Sequence, residues 1–188
     1  MLFEKIKKNG LIRLIKIYSE RVISRLRGLL FGMINTNPRF PKGLRVGRGV
    51  RSTVRFLNVG DNVTIGHLCS FGGLGSVKLA DNVVLNRNVH IDASEYIEIG
   101  KNTLVGPDCY FVDSNHQMPQ EGWLVSANVT SSAILVEKSV WFGRNVTVLA
   151  GLTIGEYSVI GASSVVTKPI PPRSVAKGVP AKARTEKK

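Results

Sequence analysis

The sequence predicts an all-β fold, a parallel β-solenoid with an amphipathic helical segment in front of it. Three observations lead there. An aliphatic or aromatic residue returns every six positions through most of the chain. Glycine is frequent, 19 of 188 residues, while aromatic residues make up only 7%. The formal net charge of +13 is gathered at one end. The hydrophobic fraction of 43% and charged fraction of 21% are ordinary for a folded soluble chain and exclude a wholly disordered one. The length suits one domain with an appendage.

Residues 1–45 are the appendage, a basic amphipathic helical segment and its connector. Residues 1–55 hold 14 Lys and Arg against Glu4 and Glu20, a balance of +12; residues 56–188 hold 12 basic and 11 acidic residues. Any electrostatic partner therefore belongs at the front end. Over residues 1–36, Leu11, Leu14, Ile15, Tyr18, Val22, Leu26 and Leu29 recur at helical spacing. Arg13, Lys16, Glu20 and Arg27 fall opposite, and Ile17, Arg25 and Phe31 break the pattern. Two readings stand. The stripe packs on the body or on a sister subunit, or the helix lies on an anionic membrane surface. Nucleic-acid binding lacks its stacking aromatics and motifs. No apolar run is long enough to span a bilayer. The Lys and Arg scattered among the first apolar residues argue against a secretory signal peptide. Asn35-Thr-Asn-Pro38 closes the segment with turn chemistry.

Residues 46–167 carry the repeat. Anchors stand at Val59, Ile65 and Phe71, at Leu79, Leu85 and Ile91, at Ile99, Val105 and Phe111, and then at Val136, Phe142, Val148, Ile154, Ile160 and Val166. Within each group the step is six, and between the first three groups it is eight. Gly often follows the anchor, as at Gly66, Gly100, Gly143 and Gly161. Four positions after the anchor comes a small or β-branched residue, such as Val63, Cys69, Val83, Cys109 or Ser164. Six residues are too few for a helix and a strand, but they suit a short strand and a sharp turn. Three such units make one triangular coil, and coils stack at about 4.8 Å. Anchors should fill the interior, and Gly should permit turns of unusual φ. Each coil needs a neighbour to bury it. Cys69 and Cys109 take the small inward slot two coils apart, beyond disulfide reach, and read as core thiols of a reducing compartment.

Here the chain resembles the hexapeptide-repeat acyltransferases. The resemblance covers roughly residues 55–185 and implies a left-handed parallel β-helix; general connection rules would have favoured the opposite hand. Residues 168–188 are similar to the family's C-terminal cap. Lys168-Pro-Ile-Pro-Pro172 and Gly178-Val-Pro-Ala-Lys182 match its Ile-Pro-Pro and Gly-Val-Pro-Ala-Lys segments.

The longest interruption of the period is a protruding loop, residues 113–132. A solenoid gains nothing from such an extrusion, so function explains it better. His116 stands where the strand leaves the coil. In the galactoside and maltose O-acetyltransferase branch a His at this point is the general base, which implies that role for His116. Asp113 and Glu121 flank it, and either one, or a backbone carbonyl, could orient the ring. His90 and His67 read as surface residues. The three His lack the close pair of a gamma-class carbonic anhydrase, and no metal is expected. Asn86, Asn88 and Asp92 align with the family's acceptor-sugar stretch, although Asn also suits tight turns. Asn115 could present its amide to a sugar hydroxyl.

For the donor, acetyl-coenzyme A, the resemblance implies Trp141 beside the pantetheine arm. Ala150, Gly151, Gly161, Ala162 and Ser163 would line the groove as small residues. The family often has Gly at the position of Ser163. Lys168, Lys182 and Arg184 could meet the phosphates. The function expected is O-acetylation of a sugar hydroxyl in cell-surface polysaccharide biosynthesis. A cytoplasmic homotrimer would carry it out, at the inner face of the membrane if the front helix binds there. The alternatives are an N-acetyltransferase on an amino sugar, a serine or xenobiotic O-acetyltransferase, and a catalytically silent membrane-docked scaffold.

Overall fold

The computed structural model describes residues 22–31, 40–117 and 129–185. Short strands stack into three parallel faces of a prism. The first face holds Arg45–Val46, Thr64–Ile65, Val84–Leu85, Leu104–Val105, Trp141–Phe142, Val159–Ile160 and Ser174–Lys177, with Lys182–Thr185 folded back antiparallel at its end. The second holds Arg51–Ser52, Ser70–Gly72, His90–Asp92, Tyr110–Val112, Thr147–Val148 and Val165–Val166. The third holds Phe56–Val59, Ser76–Leu79, Tyr96–Ile99, Ile134–Val136 and Thr153–Ile154. We call the turns from first to second face, second to third, and third to first the first, second and third corners.

The register follows the six-residue period. Ile65 lies beside Leu85, Leu85 beside Val105, and Phe142 beside Ile160. Every anchor from Val59 to Val166 is buried, and so is every small residue four positions later. Phe111 and Phe142 meet edge to face inside the prism, ring centroids 5.2 Å apart. Cys69 and Cys109 are buried free thiols. Each donates to a carbonyl of the next coil, Asn86 at 3.0 Å and Gly143 at 3.1 Å. Burial pushes both up to about 11.

The glycines after the anchors serve a different purpose from the one expected. Gly66 has no unusual φ; a Cβ there would stand 2.5 Å from the backbone of Asn86 in the next coil. Close stacking selects Gly at that position. The left-handed backbone comes two residues later, at Asn62, Leu68, Asn82, Asn88, Asn102, Asp108 and Asn145 among others. Asn and Asp tolerate that conformation best among residues with a side chain.

The parallel ladder also runs past Val166, where the period breaks. Ile170 bridges to Ile154, and Ser174–Lys177 pairs with Val159–Ile160. Ile170 and Ala176 fill the interior there. The prolines around Ile170 disguise a coil that the backbone still completes.

A helix over 22–31 closes the N-terminal end. Phe31 packs on Phe71, ring centroids 6.5 Å apart, beneath the place that Ser52 leaves small. Arg27 Nε donates to the Val46 carbonyl at 3.0 Å. A Cβ on Gly28 would collide with the Leu44 carbonyl. The side turned to the body is thus that of Arg27, Gly28 and Phe31. The stripe residues Val22, Leu26 and Leu29 are exposed, and Leu29 borders a cleft with Phe40, Pro41 and Leu44 of the body, so Val22 and Leu26 do not pack on this chain's own body. The remainder of the expected helix, with Leu11, Leu14, Ile15 and Tyr18, lies outside the described residues, as do residues 118–128 and Lys187-Lys188.

Candidate active site

The second corner departs most from the repeat. Its lower turns carry the two-residue insertions, and from its next turn a two-stranded antiparallel ribbon emerges, Ser114–His116 paired with Val129–Ser131. His116 lies opposite Val129, and both His116 and Asn115 are exposed. Glu121 lies outside the described residues.

Asp113 fixes the base of the ribbon. It is fully buried, and its carboxylate accepts three backbone N–H groups of the coil below. Oδ1 takes Ser94 N at 2.6 Å; Oδ2 takes Glu95 N at 2.9 Å and Tyr96 N at 2.8 Å. Its own carbonyl accepts from Ser132 N at 2.8 Å, where the chain re-enters the coil. Asp113 is therefore committed to the turn beneath the ribbon, and orienting the imidazole is not its task. The sequence carried a sign of this. In the column two residues after the second-face anchor, Gly73 and Ala93 precede Asp113, so a carboxylate stands where the earlier coils carry small residues.

Beside the ribbon stand Asp92, Ala150 and Gly151. The Tyr110 hydroxyl donates to Asp92 Oδ2 at 2.9 Å, and burial together with Asp92 pushes Tyr110 up to about 12. Asp92 Oδ1 occupies the space that a Cβ on Gly72 would fill. Gly151, at φ +76, donates its N–H to the Ser132 carbonyl at 2.8 Å, which ties it to the ribbon base. Lys168 is exposed at the same corner, in a later coil.

The other candidates lie elsewhere on the prism. Trp141 projects from the first face, 54% exposed. Asn86, Asn88, Gly161, Ala162 and Ser163 line the first corner, and Lys182 and Arg184 sit on the terminal strand of the first face. The whole second face separates these residues from His116 within one chain.

Two of the first-corner residues need different readings. Asn88 has φ +57, and both ends of its side chain are engaged. Its Nδ2 donates to Asp108 Oδ1 at 3.1 Å, so its Oδ1 faces His90 Nε2 at 3.2 Å. A carboxylate only accepts, which sets this amide orientation and requires His90 to carry its proton on Nε2. The Ser70 hydroxyl is hydrogen-bonded to His90 Nδ1 at 2.6 Å. The Asn88 amide, followed by Arg144, holds Asp108 below the usual carboxylate range. Turn geometry thus accounts for Asn88. Asn86 is exposed, lacks the left-handed φ and stands where other coils have Gly; its Oδ1 accepts the Arg87 N–H at 2.8 Å within the turn. Among the described residues no group of His, Cys, Asp and Glu could hold a metal ion.

No family model matches the chain. Individual proteins do. WbbJ of Escherichia coli K12, named for O-acetyl transfer in lipopolysaccharide biosynthesis, is 39% identical over 137 residues, covering 67% of this chain and 69% of its own. The galactoside O-acetyltransferase of the same organism is 34% identical over 131 residues, covering 70% of this chain and 64% of its own. A Vibrio cholerae hexapeptide-repeat acetyltransferase, crystallised with acetyl-coenzyme A, superposes with a TM-score of 0.53 at 25% identity, covering 92% of this chain and 90% of that one.

Proposed function

The chain belongs to the hexapeptide-repeat acetyltransferases, enzymes that take their acyl group from acetyl-coenzyme A, and we propose that it transfers that group to a sugar hydroxyl with His116 as the base. The observation that carries this reading is the exposed His116 on a short ribbon, clamped at its root by Asp113. The imidazole removes the proton of the acceptor hydroxyl, and the oxygen attacks the thioester carbonyl. A backbone N–H stabilises the tetrahedral oxyanion. The C–S bond then breaks, and the sulfur of coenzyme A takes the proton back from the imidazolium. An acetyl ester and free coenzyme A result, so the proton balance closes without a metal or a covalent enzyme intermediate.

Two groups of candidate residues face different directions, and a side-by-side trimer would join them. His116, Asn115, Asp92, Ala150, Gly151 and Lys168 on the second corner of one subunit would meet Trp141, Asn86, Gly161, Ala162 and Ser163 on the next. Lys182 and Arg184 would reach the phosphates at the end of the donor. The acceptor proposed is a glycan of capsule, exopolysaccharide or O-antigen assembly, acetylated in the cytoplasm. The name of the WbbJ relative supports that class.

The test is acetyl transfer from acetyl-coenzyme A to a panel of free, nucleotide-linked and lipid-linked glycans, each with a hydroxyl or an amine available, by wild type and His116→Ala. Formation of an ester that depends on His116 is expected. Amide formation on amino sugars alone would replace the hydroxyl reading, and absence of any His116-dependent transfer would leave a scaffold.

A further inference from the structure

We infer that the helix-capped N-terminal end of the solenoid docks on an anionic lipid bilayer, with the long axis of the prism standing along the membrane normal. The apolar evidence is on the helix. Val22, Ile23, Leu26, Leu29 and Leu30 are all exposed, from 42% to 62%. At 3.6 residues per turn they occupy an arc of about 120°, and the arc points away from the side where Arg27, Gly28 and Phe31 meet the body. Phe40, 42% exposed, follows where the chain enters the coil.

The charge evidence surrounds that arc. Lys42 at the third corner, Arg45 on the first face, Arg48 at the first corner, Arg51 on the second face and Arg55 at the second corner are all exposed. They ring the end coil. No Asp or Glu occurs between Arg21 and Gly60. A nucleic acid would use the cations and leave the apolar arc in water. A second copy using the same end would bring two cationic rings together. A subunit packed alongside would use the faces of the prism, whereas the arc looks out from its end. An anionic bilayer suits both features at once, apolar side chains at the acyl boundary and cations at the headgroups. Among the described residues no helix is long and apolar enough to cross the membrane.

The inference reaches the substrate through the reading of His116 given above. The ribbon leaves the fourth second-face strand from the docked end, three rungs or about 14 Å up. A helix thickness of about 10 Å lies below the first rung. The base therefore stands about 25 Å from the membrane surface, in reach of a glycan extended from a lipid carrier.

The experiment is co-sedimentation of the full-length protein with phosphatidylcholine vesicles, with and without phosphatidylglycerol. Wild type should pellet with the anionic vesicles and do so less as salt rises. Arg45→Glu with Arg51→Glu should weaken the association about a hundredfold. Leu26→Glu with Leu30→Glu should weaken it at least about tenfold, with the melting curve kept. Leu26→Ala with Leu30→Ala should give a smaller loss in the same direction. Wild type left in the supernatant at low salt would overturn the inference, and so would Leu26/Leu30 variants that pellet like wild type. If those variants lower the oligomeric mass and wild type ignores vesicles, the arc is a subunit contact instead. Vesicle binding without acetyl transfer would leave the docking intact and remove the catalytic reading; transfer without vesicle binding would do the reverse.

Discussion

Replacing Asp113 by Asn changes one atom of a fully buried side chain, and the geometry fixes what that atom does. The carboxylate receives three N–H donors, one on Oδ1 and two on Oδ2. An amide can satisfy Ser94 N through its oxygen, but its NH2 then faces the N–H groups of Glu95 and Tyr96. The opposite rotamer misdirects Ser94 N instead and still loses the negative charge. Two hydrogen bonds to a charged acceptor are worth about 3–6 kcal/mol. Local rearrangement of the turn should bring the measured loss to about 3 kcal/mol, which lowers the melting temperature by roughly 6–12 °C in a chain of this size. The turnover loss should be larger than a mere stability loss explains, because the ribbon that bears His116 starts at the next residue. A shift of about 1 Å in a catalytic group costs on the order of a hundredfold. The assay pairs a thermal melt with turnover and with coenzyme A binding, measured well below the melting temperature. Expected are a lowered melt, kcat down at least about tenfold, coenzyme A binding close to normal and an unchanged pH profile. A normal melt would refute the clamp. A kcat loss accompanied by a displaced pH profile would show that Asp113 acts on the imidazole after all.

His116→Ala should lower turnover by at least about a hundredfold, the low end for loss of a general base, and leave the melt nearly unchanged because the side chain is exposed. Cys69 and Cys109 should resist alkylation in the native protein at pH 8 and react once it is unfolded, under non-reducing conditions throughout. Burial lifts both from the 9.0 of a free thiol to about 11, so their contribution to stability is complete below pH 9 and disappears as the pH rises through 11; urea titrations at pH 8 and pH 10.5 should show the loss.

The fold was legible because a solenoid is nearly one-dimensional: each anchor has the same surroundings, and a six-residue period names the buried positions directly. Val59 to Val166 needed nothing beyond counting. The end of the coil was less legible, since Ile170 and Ala176 sit among prolines that hide the period. The physical reason for glycine was also hidden. Stacking distance at Gly66 does not appear in a sequence, whereas turn preference does, and the left-handed positions had gone to Asn and Asp. Asp113 could have been recognised from the column Gly73, Ala93, Asp113. The line from Ser70 through His90 and Asn88 to Asp108 and Arg144 could not, because its members meet across coils and belong to no short motif. For the helix, the periodicity found the stripe but not its direction: Phe31, which broke the pattern, is the residue that faces the core.

The same one-dimensionality limits how a single chain can build a site. Residues one coil apart at one corner converge, as Asp92, Asp113 and Gly151 do around the ribbon. Residues on different corners stay apart however many coils are added. His116 and Ala162 are on different corners, so on the proposed roles of base and donor groove one site would draw them from different copies. His116→Ala removes the base, and Ala162→Arg fills the groove from an exposed position without touching the core. On the proposed trimer, each variant alone should be inactive. When the two chains are co-expressed and assemble at random, a site is competent if its base comes from the Ala162→Arg chain and its groove from the His116→Ala chain, which gives about a quarter of the sites. Recovery of about a quarter of wild-type turnover in the mixed preparation is the expected result. Absence of recovery, with mixed trimers verified by mass, would mean that base and donor groove belong to one chain, and the assignment of Ala162 to the groove would have to be abandoned.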